Sequence, residues 1–197
     1  MGKHSLGQLP SAGKTSKRAV FLDRDGVINF PLIRDRKPYP PRTLSEFQLM
    51  PGVESGCRRL KEAGFVLIVA TNQPDVGRGE LPREAVEEIH RSMEEMLPID
   101  RTEVCYDSGR EGDCSDRKPA PGMLLRAAGD LGIDLPSSFM IGDRWRDVDC
   151  GAAAGCRTIF IDYGYDERLK TSPDFRVQNF EEAVEIILSY TSLSTPC

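Results

Sequence analysis

Two aspartates separated by one residue, Asp23 and Asp25, lie in the stretch "VFLDRDGVINF", directly after an apolar run that reads as a buried strand. Like charges in close quarters oppose each other's ionisation and burial makes both worse, so the pair is useful only where a cation or a reaction calls for it. Other polar groups stand at comparable places: Thr71 with Asn72 in "VATNQ", Arg117 with Lys118 in "DRKPAPGM", and Asp143 with Asp147 in "IGDRWRD". Brought together, Asp23, Asp25 and Asp143 make a hard oxygen site of the kind Mg²⁺ prefers. Arg117, Lys118 and the Thr71 hydroxyl then suit a phosphoryl group. In that setting Asp23 can attack phosphorus in line to give an aspartyl-phosphate, while Mg²⁺ suppresses the repulsion between nucleophile and phosphoryl oxygen. Asp25 can protonate the leaving oxygen and later deprotonate a water.

A parallel sheet would bring these residues to one edge. Strand-like apolar runs occur at "RAVFLD", "GFVLIVAT", "RTEVCY", "SFMIGD" and "RTIFID". Between them "PGVESGCRRLKEAG", "LPREAVEEIHRSMEEML" and "PGMLLRAAGDLG" show helical spacing with Pro near the start, and "FEEAVEIILSY" forms a last amphipathic helix. The alternation predicts a three-layer, Rossmann-like α/β fold around a mostly parallel sheet, with ligands at the carboxyl ends of the strands. The segment "DSGREGDCSDRK" breaks the pattern and reads as a loop or hairpin. The expected organisation is a flexible tail over 1–17, one domain over 18–190 and a short tail over 191–197. The tail's "GQLPSAGKT" has five residues between Gly7 and Gly13 where a phosphate-binding P-loop has four, and no strand precedes it, so it reads as a leader.

The 197 residues suit one core, and 26 Lys plus Arg against 31 Asp plus Glu give a net charge of −5 with no basic stripe, which argues against a nucleic-acid partner. The six cysteines are scattered and no secretory leader is evident, so they are expected to be thiols in a reducing cytoplasm. No apolar run nears the roughly 20 residues that span a bilayer. His4 falls in the tail and His90 in a charged helix, neither a good ligand candidate. Trp145 reads as a packing residue, and Cys57, Cys150 and Cys156 as small buried hydrophobes. Asp147 reads either as support for the metal site or as a cap on the helix near Arg146.

"FLDRDGVIN", "VATNQ", "DRKPAPGM" and "IGDRWRDVDCGAAAG" resemble the four motifs of the haloacid dehalogenase superfamily, in the branch that holds heptose-bisphosphate and histidinol phosphatases. The resemblance spans residues 18 to 190. It implies Asp23 as nucleophile, Asp25 as general acid and base, and Thr71 and Lys118 as stabilisers of the transferring phosphoryl group. It also implies Mg²⁺ held by the Asp23 carboxylate, the Asp25 main-chain carbonyl and Asp143. Asn72, Gln73, Arg117 and Arg144 would touch substrate, with Arg144 standing where relatives commonly have Lys.

Many members of the branch hold a structural zinc in a loop reading C-x-H and then C-x-C. Here Cys105 and Cys114 remain, but Asp107 and Asp116 replace the other two ligands, and structural zinc strongly favours Cys and His, so zinc is not expected. The segments after Asn29 and after Gln73 are too short for a full cap domain. Arg78, in "GRG", could reach a second anionic group or simply be solvated. The expected activity is Mg²⁺-dependent phosphomonoester hydrolysis on a small phosphorylated sugar, at the C7 phosphate of a heptose 1,7-bisphosphate, by a monomeric enzyme without membrane partner. The alternatives are a histidinol-phosphatase or other small-molecule phosphatase and, from another class, a non-catalytic phosphosugar-binding scaffold.

Overall fold

Strand β1 (Ala19–Leu22) is buried throughout and lies at the middle of the sheet, between β4 (Val66–Asn72) and β6 (Phe139–Gly142). The structure, a computed structural model, describes residues 16–34, 37–110, 114–165 and 168–192. The tail sequence from Gly7 to Gly13 lies outside them, as do residues 193–197. With β5 (Arg101–Cys105), β7 (Arg157–Ile161) and β8 (Phe175–Val177), the sheet runs β5-β4-β1-β6-β7-β8, every pair parallel. The α/β sheet expected from the alternation is therefore present. Strands β2 (Leu32–Arg34) and β3 (Lys37–Tyr39) form a separate antiparallel hairpin after the first motif.

Strand residues alternate between two apolar layers, as period-2 geometry requires of a sheet covered on both faces. Val20, Leu22, Leu67, Val69, Phe139, Ile141 and Ile159 pack with residues of α1 (Val53–Glu62), α3 (Arg83–Met96) and α6 (Phe180–Ser192). Ala19, Phe21, Ile68, Ala70 and Met140 pack with α4 (Gly122–Leu131) and α5 (Trp145–Ala154). Helix α1 buries Val53, Cys57 and Leu60, spaced i, i+4, i+7, and carries Arg59 and Lys61 in its last turn, where cations complement the helix dipole. A short helix, α2 (Pro74–Gly77), follows β4.

The chain moves from β1 to β4 and β5 on one side, then returns to β6 on the other. That reversal opens a crevice beyond the carboxyl ends of β1 and β6, where open α/β sheets bind ligands. Asp23 and Asp25 follow β1 and Asp143 follows β6, so the topology itself gathers the carboxylates. At the other end of the domain, Lys17 N–H donates to Gly132 O and Asp134 N–H to Lys17 O, so pairing with the domain already begins at Lys17.

Candidate active site

Asp23 continues the alternation of Ala19 and Phe21 and so lies toward the face carrying α4 and α5. There its Oδ1 meets Lys118 Nζ at 2.8 Å, and the same Nζ lies 2.6 Å from Asp147 Oδ1. Lys118 is only 3% exposed. Asn72 fixes that lysine through its backbone: Asn72 Nδ2 donates to Lys118 O (3.0 Å), and Lys118 N–H donates to Asn72 Oδ1 (3.1 Å). Asp147 also accepts the Arg144 N–H through Oδ2 (3.1 Å), so it caps α5 and pairs with the lysine at once. Of the two roles expected for Asp147, the cap on the helix is observed.

The turn after Asp23 is tight. Arg24 O accepts the N–H groups of Val27, Ile28 and Asn29, and Tyr163 Oη donates to Gly26 O (2.9 Å). Gly26 has φ +91°, and a Cβ there would overlap the Asp143 carboxylate, so only glycine fits both the backbone and the approach. Gly142 is constrained similarly, since a Cβ would overlap the side chain of Asp147.

Ligand atoms of Asp23, Asp143 and Asp147 all lie within 4.8 Å of one another. Burial pushes the Asp23 carboxyl up to about 7, with Lys118 pulling it down and Asp147 and Asp25 pushing it further up. Burial, then Asp23 and Asp147, hold Asp143 well above the usual carboxylate range. Burial opposes the Lys118 charge, but Asp147 and Asp23 outweigh it and keep this ammonium ionised. One lysine thus faces three carboxylates, and Asp143 Oδ1 is buried with no hydrogen-bond partner among the described residues. An all-oxygen set with an orphaned anionic atom fits a hard divalent cation.

Asn72, Arg117 and Arg144 line the cleft above this cluster, together with Arg146 and Tyr39. Arg117 donates through Nη1 to Asp107 O (2.7 Å) and lies so close over Gly109 that a Cβ there would overlap its guanidinium. Thr71 and Gln73 are buried behind the lining: Gln73 Nε2 donates to Thr71 Oγ1 (3.0 Å) and to Asp25 Oδ2 (2.9 Å). Arg78 is not among the lining residues, and its guanidinium pairs with Asp75 at 3.3 Å. In the loop after β5, the Cys105 and Cys114 sulfurs are 3.8 Å apart. Asp107 Oδ1 accepts the Gly109 N–H, and Asp116 Oδ2 accepts from Arg126 Nη1. Those carboxylates are engaged locally and do not converge with the sulfurs into a four-ligand set among the described residues.

Sequence reasoning missed Arg24, His90 and Tyr163. Arg24 is fully buried between the two aspartates, and His90, 6% exposed, bonds to it. The signal was present in α3, where Val86, Ile89, His90 and Met93 form the buried stripe, so the histidine falls on the core side of a helix that is otherwise charged.

A carboxylate cluster and a buried lysine at the switch point of a doubly wound parallel sheet define the class as hydrolases that work on phosphate or similar anions at strand ends. A family model described as HAD-hydrolase-like matches residues 115–183. The chain is 34% identical over 194 residues, 87% of its own length and 96% of the relative's, to D-glycero-D-manno-heptose-1,7-bisphosphate 7-phosphatase of Thermosynechococcus vestitus. It is 35% identical over 151 residues, 71% of this chain and 77% of the other, to the D-glycero-beta-D-manno-heptose-1,7-bisphosphate 7-phosphatase of Yersinia pestis. Among solved structures, the D,D-heptose 1,7-bisphosphate phosphatase of B. bronchiseptica, complexed with magnesium and phosphate, superposes with TM-score 0.75 at 26% identity, covering 88% of this chain and 99% of that one. The chain belongs to the HAD-like hydrolases, the haloacid dehalogenase superfamily, and is a phosphatase.

Proposed function

We propose that this phosphatase removes the C7 phosphate of D-glycero-D-manno-heptose 1,7-bisphosphate through an aspartyl-phosphate on Asp23. The observation that carries the mechanism is the buried Asp23–Lys118–Asp147 ion pair set beside Asp143, which holds one carboxylate at the mouth of the crevice with a fixed cation against it. The substrate follows from the relatives, which bear that activity in their names along most of their length.

In this reading the Asp23 carboxylate, the Asp25 carbonyl and Asp143 would hold Mg²⁺, which would supply positive charge between an anionic nucleophile and an anionic phosphate. Asp23 forms a bond to phosphorus as the bond to the sugar oxygen breaks, and Asp25 delivers a proton to that oxygen. Asp25 then takes a proton from a water that attacks phosphorus, releasing phosphate and restoring Asp23. Lys118 stabilises the phosphoryl oxygens, with the Thr71 hydroxyl behind it. Arg117 and Arg144, on the cleft wall, take a further anionic group of the substrate, and Asn72 acts by placing Lys118. Gln73 steadies Asp25 and Thr71, while Arg78 contributes at most from the rim.

The five described cysteines are free, which suits a reducing cytoplasm, and no helix among the described residues is long and apolar enough to cross a membrane. Phosphate release from the heptose bisphosphate and from histidinol phosphate, measured side by side with Mg²⁺, tests the reading. A preference of at least about tenfold for the heptose, some 1.4 kcal/mol, is expected. Equal slow rates on both would reject the substrate and leave the reaction class standing.

A further inference from the structure

Arg24 carries a permanent charge at a position with no exposure to solvent, which is costly unless its N–H groups find acceptors. Its Nε donates to Asp25 Oδ1 (3.1 Å) and its Nη2 to both oxygens of the same carboxylate (2.9 Å each). Gln73 Nε2 reaches Asp25 Oδ2 (2.9 Å) and Asn29 Nδ2 reaches Oδ1 (3.1 Å), so the carboxylate is gripped on both oxygens. On the far side, Arg24 Nη1 lies 3.0 Å from Nε2 of His90, which comes from α3, well separated from the cleft in sequence. A guanidinium has no acceptor, so His90 must receive this bond, with a lone pair on Nε2 and its proton on Nδ1.

We propose that His90 is a positioning residue for phosphate-ester cleavage: by accepting the Arg24 Nη1 hydrogen bond, it fixes the guanidinium that orients the Asp25 carboxylate toward the leaving oxygen. The inference rests on the reading of Asp25 as the general acid. A neutral ring is required, and burial, reinforced by the Arg24 charge, pushes the His90 imidazolium down to about 3 despite the opposing pull of Asp25. Without this acceptor Nη1 faces the core unpaired, the guanidinium is free to turn, and the grip on Asp25 slackens. Asp23 meets this chain of bonds at the backbone, where the Arg24 N–H donates to its Oδ1 (2.8 Å), and Lys118 is paired with Asp23 and Asp147 instead; neither bond involves the Arg24 guanidinium, so nucleophilic attack and charge stabilisation should be spared.

The test separates these steps by leaving group. The ratio kcat/KM reports events through departure of the first product, and proton donation matters more for phenyl phosphate than for 4-nitrophenyl phosphate, whose oxygen leaves readily unprotonated. His90→Leu should lower kcat/KM for phenyl phosphate about tenfold and for 4-nitrophenyl phosphate less than about threefold, a part of the full general-acid effect. His90→Gln, which places an amide oxygen near the Nε2 position, should restore both to within about twofold. Equal losses on the two esters, or no loss from a folded His90→Leu protein, would overturn the proposal. His90→Phe serves as a second acceptor-free variant. In the unaltered protein, ¹⁵N NMR should show Nδ1 protonated and Nε2 bare, and a protonated Nε2 would refute the arrangement without any variant. Asp25→Asn, assayed in parallel, should show the same leaving-group split more strongly. If it does and His90→Leu does not, the relay alone fails, whereas if Asp25→Asn shows no split, the assignment of the acid fails.

Discussion

The two walls of the cleft are held by opposite means. On one, Asp23, Lys118, Asp143 and Asp147 are almost wholly buried, and their charges act on each other with little screening. On the other, the described residues of the loop after β5 are tied down by partly exposed bonds: Asp116 to Arg126, which also pairs with Glu103 of β5, Arg117 to the Asp107 carbonyl, and two thiols side by side. The buried wall concentrates field where bonds would change and carries electrostatic stress in doing so. The exposed wall carries little of this stress. Lys118 joins them, since it ends the loop and enters the buried cluster.

The sharpest way to break this contrast is at Asp23. Asp23→Asn should abolish turnover, by at least about 10⁴-fold for loss of a nucleophile. The thermal midpoint should hold or rise, because a crowded buried carboxylate is removed while Lys118 keeps Asp147. A large fall in both activity and stability would make Asp23 a structural residue. Lys118→Met comes next, with a loss of about 10²–10³ in kcat. Its stability should drop by about 3 kcal/mol, because two buried carboxylates lose their cation. Urea unfolding of the two variants, set beside their rates, should therefore show opposite signs of stability change for two losses of activity.

Legibility followed burial and length. Four of the five core strands were readable as runs of apolar residues, and their polar ends marked the cleft, whereas β5 begins Arg101, Thr102, Glu103 and shows only Val104 and Cys105. The three-residue strands β2, β3 and β8 carry no period of their own and are set by pairing that sequence does not display. Asp23 and Asp143 were conspicuous because charge directly after an apolar run is costly, whereas Lys118 ends a polar loop and stood out through the likeness of "DRKPAPGM" to a family motif. Gln73 and Thr71 were placed at the right strand end but not on the right side of it, since side-chain direction beyond a strand depends on the turn that follows. His90 was hidden by its neighbours: five glutamates in α3 made the helix look solvated, although the histidine sits on the apolar stripe.

That histidine gives the next effect in size. Its ring resists protonation when folded, at about 3 against 6.5 for a free side chain, so the unfolded chain takes up a proton that the folded one refuses. Stability should therefore fall as pH drops below 6.5, by on the order of 1–2 kcal/mol at pH 5. His90→Gln has no such group and should show a flatter profile between pH 7 and 5. Denaturant midpoints at several pH values make the comparison, and parallel profiles would mean that the ring titrates normally in the fold.

The smallest effect belongs to the exposed wall, and for that reason it tests the contrast best. Arg126 spans Glu103 on β5 and Asp116 in the loop, at 2.5 and 2.7 Å, with its side chain 40% exposed. Glu103 is nearly buried but would keep Arg101, 2.5 Å away, if Arg126 were lost. Arg126→Ala should thus cost about 1 kcal/mol or less, since the pairs it breaks are screened by water and salt. What it loosens is Asp116, the residue directly before Arg117. KM for the bisphosphate should rise two- to fivefold, a loss of under about 1 kcal/mol of binding, while kcat stays within twofold because Lys118 remains fixed by Asn72, Asp23 and Asp147. Arg126→Lys should fall between, keeping the charge but not the fork that spans both carboxylates. A collapse of kcat in Arg126→Ala would show that the loop's ion pairs also set the position of Lys118, and the two walls would then have to be treated as one cooperative unit.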